Sequence, residues 1–351
     1  MSKKIEYNVW NSWDPLETMM IGSCVPLQYF EHVQDQSIKE KLTQVLYETQ
    51  EDLDNFASVL SANGVDVLRE ATNSEARLWP NKPAFYHNIK TLQPRNFLAV
   101  LGNSLVVQDV KDAERYSKII NIEMNKKASW ANLLRSKFPE IHPPCWTIVG
   151  NDLFVDIMGF DKKSGSVEHI VEKLTQWMNV YLPGCKLHTL DIGGHTDGNF
   201  ALCKPGVIIS RDDVRVHDEH FPNWDVYYLP ETVNTIRKFQ TAKRHTLGKY
   251  YMAGEEGNQH LCNFINQWLS EWLGQVDETV FETNIVMINE STACVMTYDK
   301  DLFAWLKKHN IEPIIVPFRH RYFWDGGLHC HSADLKRKGS PENYISSGKS
   351  L

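Results

Sequence analysis

No stretch of this 351-residue chain stays apolar for the roughly 18 residues that a membrane-spanning helix needs. Nor does an apolar segment follow Met1-Ser2-Lys3-Lys4, so no secretory signal is expected. Positive charge is in deficit: 37 Lys and Arg face 44 Asp and Glu, a net charge of -7, which disfavours a nucleic-acid partner. The one compact basic run, Lys336-Arg337-Lys338, reads as a solvated turn. Cys-x-x-Cys pairs are missing as well. The seven cysteines, at 24, 145, 185, 203, 262, 294 and 330, are odd in number and scattered. That excludes a disulfide framework, gives no structural zinc site, and leads us to expect a reducing, cytoplasmic setting. Finally, no Pro/Gly/Ser-rich linker divides the chain, so one domain spanning residues 1–351 is expected.

What is present is an ordinary globular composition, 42% hydrophobic and 23% charged, organised as a repeat. Residues 38–63 carry the periodicity of an amphipathic helix, Gly64 can end it, and 65–68 follow as a strand. Residues 166–181 repeat the pattern with Ser166 as N-cap and Pro183-Gly184 as terminator, before a strand over 185–192. Residues 299–308 do so again, with His309-Asn310 turning into a strand over 311–318. A second motif alternates with the first. Residues 99–107 and 147–155 both read as tight β-hairpins with Gly-Asn turns, and 204–209 and 287–295 look like weaker copies. Together they predict about five ββαβ-like modules around an axis, with one central site.

Two dense clusters carry candidate chemistry. Asp325-Gly326-Gly327-Leu328-His329-Cys330-His331-Ser332 sets a thiol among imidazoles behind a glycine pair, where the backbone can take positive φ or approach a ligand closely. Asp191-Ile192-Gly193-Gly194-His195-Thr196-Asp197 offers a base and a carboxylate. Cys330 and His195 can meet only in the folded chain. If the second segment is extended, His195 and Asp197 share a face. If the first is a strand, His329 and His331 lie opposite Cys330 and are structural or surface groups. Metal binding by these histidines is not expected, because a Cys-His-Asp set already accounts for the chemistry.

Several segments in order resemble the amidinotransferases of the guanidino-modifying (pentein) superfamily. They are Trp10-Asn11-Ser12-Trp13-Asp14-Pro15-Leu16-Glu17, then Gln93-Pro94-Arg95-Asn96 leading into Gly102-Asn103, then His195-Thr196-Asp197, and lastly Gly326-Gly327-Leu328-His329-Cys330 with the basic turn beyond. The resemblance covers nearly the whole chain. It implies a five-bladed α/β-propeller of pseudo-symmetric ββαβ modules. It also implies an arginine-type guanidine as donor, a glycine-like amine as acceptor, and no cofactor. Cys330 would be the nucleophile, His195 the acid and base, and Asp197 the group that grips the guanidinium. Arg95 and Asn96 fall in the family's substrate-binding hairpin, and Arg211, near Arg215, falls near its carboxylate-binding arginine. Where the family has carboxylates, this chain has Asn96, His142 and Cys145. Glu140 and Asp152 are the candidates to restore the lost charge. The family's acceptor segment falls near Asp277-Glu278 here, so a basic acceptor amine such as a diamine is an alternative to the glycine-like one. The sequence Gly194-His195-Thr196-Asp197-Gly198 also resembles agmatine deiminases, so a guanidine hydrolase, or a guanidine-binding homologue without catalysis, is the alternative. The expected partners are small molecules, with a homodimer as a possible assembly.

Overall fold

A computed structural model describes residues 4–71, 92–120, 142–157, 166–192, 195–211, 214–229, 255, 257–269 and 282–345. Glu140, Gly193-Gly194 and Asp277-Glu278 lie outside them.

The described residues form five small sheets. Strands β5 (Trp146–Val149), β6 (Asp152–Asp156) and β7 (Lys186–Leu190) show the common plan. An antiparallel hairpin is followed by a helix, Val167–Tyr181, and then by a third strand parallel to the second. The plan recurs in β8 (Phe200–Lys204), β9 (Val207–Arg211) and β10 (Asp225–Leu229). It recurs once more in β11 (Val286–Asn289), β12 (Thr292–Val295) and β13 (Glu312–Ile315), with the helix Lys300–Lys308 between the last two. Strands β3 (Leu98–Leu101) and β4 (Ser104–Val107) form the hairpin of another sheet. In the remaining sheet the two ends of the chain meet. β1 (Leu16–Ile21) is antiparallel to β14 (Ser332–Arg337) and parallel to β2 (Asp66–Arg69), which follows the long helix Gln36–Ala62.

All four hairpins read from the sequence are present, and local chemistry explains them. Gly102 and Gly150 turn their hairpins at φ of 59° and 61°, a left-handed conformation in which a side chain would be strained. The three helix–strand units are also present. Asp35, Ser166 and Asp299 cap their helices by accepting main-chain N–H groups of Ile38, His169 and Leu302. Asn310, at φ 58°, makes the turn expected at the end of the third helix.

The segment around the Trp10–Glu17 motif acts as a strap. Asn8 donates its main-chain N–H to Leu335, and Val9 exchanges main-chain bonds with Gly102. The Trp10 carbonyl accepts from Gly150 at 2.6 Å, and Ser12 Oγ donates to the Leu202 carbonyl at 2.5 Å. Four sheets are thereby tied by five consecutive residues. Arg337, fully buried, donates to the carbonyls of Asp14 and Met287 and so brings in the fifth. The leading strands of all five sheets line one cavity of about 90 Å³, through Ala99, Trp146, Phe200, Met287 and Ala333 among others. Val9, Asn11 and Ser12 of the strap line it too.

Candidate active site

Asp197 occupies the wall of this cavity on a single helical turn, Thr196–Asn199, between β7 and β8. The extended conformation considered for this segment is not the one adopted. His195 is the N-cap of the turn, and its carbonyl accepts from Asn199 Nδ2 at 2.8 Å. Arg211 braces the same asparagine, with Nη1 3.3 Å from Asn199 Oδ1. Thr196 Oγ1 donates to the Pro144 carbonyl at 3.0 Å, which leaves Thr147 Oγ1 to donate to it at 2.8 Å. Thr283 Oγ1 donates to the Asp197 carbonyl at 3.1 Å. The turn is thus pinned to the starts of two neighbouring sheets.

Cys330 approaches Asp197 from the other side. Residues 328–331 form a turn rather than a strand. The His331 N–H donates to the Gly327 carbonyl and the Ser332 N–H to that of His329. The reading of His329 as structural or surface is therefore corrected. A turn places neighbouring residues on one side, where a strand would alternate them. Cys330 Sγ lies 3.4 Å from Asp197 Oδ2, and His329 Nδ1 lies 2.8 Å from the same oxygen. Because a carboxylate only accepts, His329 carries its proton on Nδ1. Asp197 Oδ1 is buried and has no hydrogen-bond partner. His331 does keep its structural reading. It is buried, donates from Nδ1 to the Gly327 carbonyl at 2.7 Å, and burial pushes its pKa down to about 4.

The glycine pair serves close packing, not positive φ. The left-handed residue of this loop is Asp325, at φ 48°. A Cβ on Gly326 would lie 2.9 Å from the Cβ of Cys330, and one on Gly327 would lie 2.8 Å from Asn284 Oδ1. Asn284, at the start of the fifth sheet, touches the thiol directly. Its Nδ2 is 3.1 Å from Sγ, and its Oδ1 accepts the Cys330 N–H at 2.9 Å.

Burial would raise the Asp197 carboxyl, but the hydrogen bond and charge of His329, then His195 and Arg95, hold it below the usual carboxylate range. Burial pushes the pKa of His195 down, against the pull of Asp197 and of Asp156. Asp156, buried at the end of β6, accepts the Ile192 N–H at 3.2 Å. Together, then, Cys330, His329 and His195 bear on one carboxylate.

The other sequence candidates are placed differently. Arg95 lines the cavity, and its Nε donates to the carbonyls of His329 and Ser332 at 2.9 and 3.0 Å. Its Nη2 is 2.9 Å from Asp334, which also holds Arg337. Arg95 therefore clamps the Cys330 loop. Asn96 donates to Gln93, and Asp152 pairs with His188 at 2.7 Å; neither lines the cavity. His142 is exposed at the N-cap of the short helix Pro143–Cys145. Arg215 lies over the ring of Tyr228. The structure thus gathers Cys330, Asp197 and Arg95, with His195 linked to them through Asp197, and does not bring Asn96, His142 or Asp152 to that point. Sequence reasoning missed Asn284, Thr283 and Asp156. Asp156 ends the apolar run Leu153-Phe154-Val155, five residues beyond Asn151 of a recognisable hairpin turn, which is the one signal that could have found it. Among the described residues no group of three or more His, Cys, Asp or Glu side chains is arranged to hold a metal ion, and no helix is long and apolar enough to cross a membrane.

No protein-family model matches the chain. It is 21% identical to the L-arginine:L-lysine amidinotransferase of Pseudomonas savastanoi pv. phaseolicola, over 96% of both proteins. It is 20% identical to the mitochondrial glycine amidinotransferase of Gallus gallus, over 96% of this chain and 84% of that protein. Its relatives are amidinotransferases. Among solved structures, the inosamine-phosphate amidinotransferase StrB1 of Streptomyces griseus superposes with a TM-score of 0.60 at 18% identity, covering 97% of this chain and 99% of that one. SxtG, an amidinotransferase from Microseira wollei, gives 0.58 at 16% identity, over 97% and 100%. The mixed α/β fold is therefore the one these proteins share.

Proposed function

We propose that this chain is an amidinotransferase working through a covalent amidino-Cys330 intermediate, on a single five-bladed α/β-propeller domain. Four three-stranded sheets of like topology and a fifth, two-stranded hairpin, all lining one cavity, support the architecture. The observation that carries the chemistry is the contact of Cys330 Sγ with Asp197, a carboxylate with one oxygen still unpartnered. A guanidinium is planar, cationic and rich in N–H donors, so a buried carboxylate beside a thiol is the grip it requires.

In the first half-reaction the Cys330 thiol passes its proton to His195, and the thiolate attacks the central guanidinium carbon, forming a C–S bond. The bond from that carbon to the chain nitrogen breaks, and His195 supplies the proton with which an amine such as ornithine departs. In the second half, an acceptor amine attacks the same carbon and gives a proton back to His195. The C–S bond then breaks, and its electron pair returns to sulfur. Neutral His195, favoured by its burial, is the state that the second half needs. Asp197 Oδ1 is the free acceptor for guanidinium N–H groups.

The test is incubation with arginine and, in turn, glycine, lysine, an inosamine phosphate or no amine, the first three being the acceptors named for the relatives. Ornithine that appears only with an amine supports transfer. Citrulline formed without an amine would instead establish a hydrolase. Cys330→Ala is expected to abolish turnover, and the gain of one amidino group on Cys330, while leaving the melting temperature unchanged. Full activity in that variant would sink the mechanism.

A further inference from the structure

We propose that Asn284 is a catalytic residue, whose side-chain amide holds the Cys330 sulfur in its anionic form before attack and again as the adduct breaks down. The geometry leaves the amide one orientation. The Cys330 N–H can only donate, so the atom 2.9 Å from it must be Oδ1, which turns Nδ2 toward Sγ at 3.1 Å. The second Nδ2 hydrogen faces the Asp197 carbonyl at 3.4 Å. Asn284 is fully buried, so the amide cannot swing out to water without losing all three contacts. The space it fills is open because residue 327 has no Cβ.

The sulfur needs such a donor. Cys330 is 4% exposed, and the Asp197 carboxylate 3.4 Å from its sulfur would oppose a thiolate. The other charged or titratable groups around it are His329 and His331 on its own loop, Arg95 behind the loop, and His195, which acts through Asp197. The Asn284 amide N–H faces Sγ directly at 3.1 Å, aligned before any charge develops. When sulfur bonds to the amidino carbon its charge is lost and this hydrogen bond weakens. When the acceptor amine displaces it, the electron pair returns to a sulfur that already faces a donor. This role in turnover rests on the transferase reading, but the effect on the thiol does not.

The test follows alkylation of Cys330 by iodoacetamide against pH, read by peptide mass, in the wild type, Asn284→Ala and Asn284→Asp. The aspartate keeps the shape but presents an oxygen to sulfur. The wild-type midpoint is expected below the ordinary thiol value of about 8.5. It should move up in both variants, furthest in the aspartate, with the rate at neutral pH falling at least tenfold. Asn284→Ser replaces whichever variant fails to fold by circular dichroism. A wild-type midpoint at or above the ordinary value, or folded variants that alkylate like wild type, overturns the proposal. Because no arginine is involved, a protein that turns over no arginine yet shows the expected midpoints refutes the transferase reading alone.

Discussion

Removing the Arg95 guanidinium should loosen the Cys330 loop and destabilise the fold by a calculable amount. The side chain is 14% exposed, bonds two carbonyls that flank Cys330, and pairs with a buried Asp334. Breaking a buried ion pair costs about 3–5 kcal/mol. Here Asp334 keeps Arg337 at 2.6 Å, so the lower end, about 3 kcal/mol, is expected for Arg95→Leu. Unfolding entropy of about 2.1 cal/mol/K per residue implies roughly 0.7 kcal/mol/K for a chain of this length, and hence a melting temperature lower by about 4 °C. Arg95→Lys separates two effects. A lysine can still face Asp334, but it cannot also bond the carbonyls of His329 and Ser332, because it lacks the planar fork. That variant should recover most of the stability and little of the activity. Calorimetry and amine-dependent ornithine release measure the two quantities. The reasoning fails if Arg95→Lys is as active as wild type, or if Arg95→Leu melts unchanged.

His329→Ala removes the hydrogen bond that holds the Asp197 carboxyl down, so the acid limb of the kcat/KM profile should move to higher pH. An unmoved limb would mean that Asp197 is not the group titrating there. Stability should fall as pH drops from 6.5 toward 4, because buried His217 and His331 must take up protons in the unfolded chain while their folded pKa lies near 4. At about 1.4 kcal/mol per pH unit, each contributes up to about 3 kcal/mol above pH 6.5 that is gone below pH 4. Urea titrations at pH 7 and 4.5 measure this, and equal midpoints would contradict it.

The elements legible in the sequence were those whose signals are local. Gly102 and Gly150 announce their hairpins because few other residues accept their φ, and Asp35, Ser166 and Asp299 announce helix starts through their own side-chain bonds. Cys330, His195 and Asp197 were legible as residues because unusual groups stand close together in sequence. What defeated the reading was the conformation between such signals. Whether residues 328–331 form a strand or a turn depends on Arg95 and Asn284, far away in the chain, and His329 changed role with that choice. Asn284 itself looks like any polar residue before a strand, and only its contacts with Cys330 single it out. Asp152 and Asp156 share one face of the same strand, yet the first is claimed by His188 and the second acts on His195.

The pairing of β1 with β14 has a consequence for biosynthesis. Met20 lies opposite Ala333, so β1 leaves the ribosome long before the strand that completes its sheet. Until then its amides and carbonyls are an open edge, and the strap that ties the sheets together has nothing to tie. Closing that sheet is therefore entropically demanding and slow, as expected where partners lie far apart along the polymer. A ribosome stalled short of residue 332 would hold a chain with every other described hairpin encoded and β1 still lacking its antiparallel partner, a substrate for chaperones.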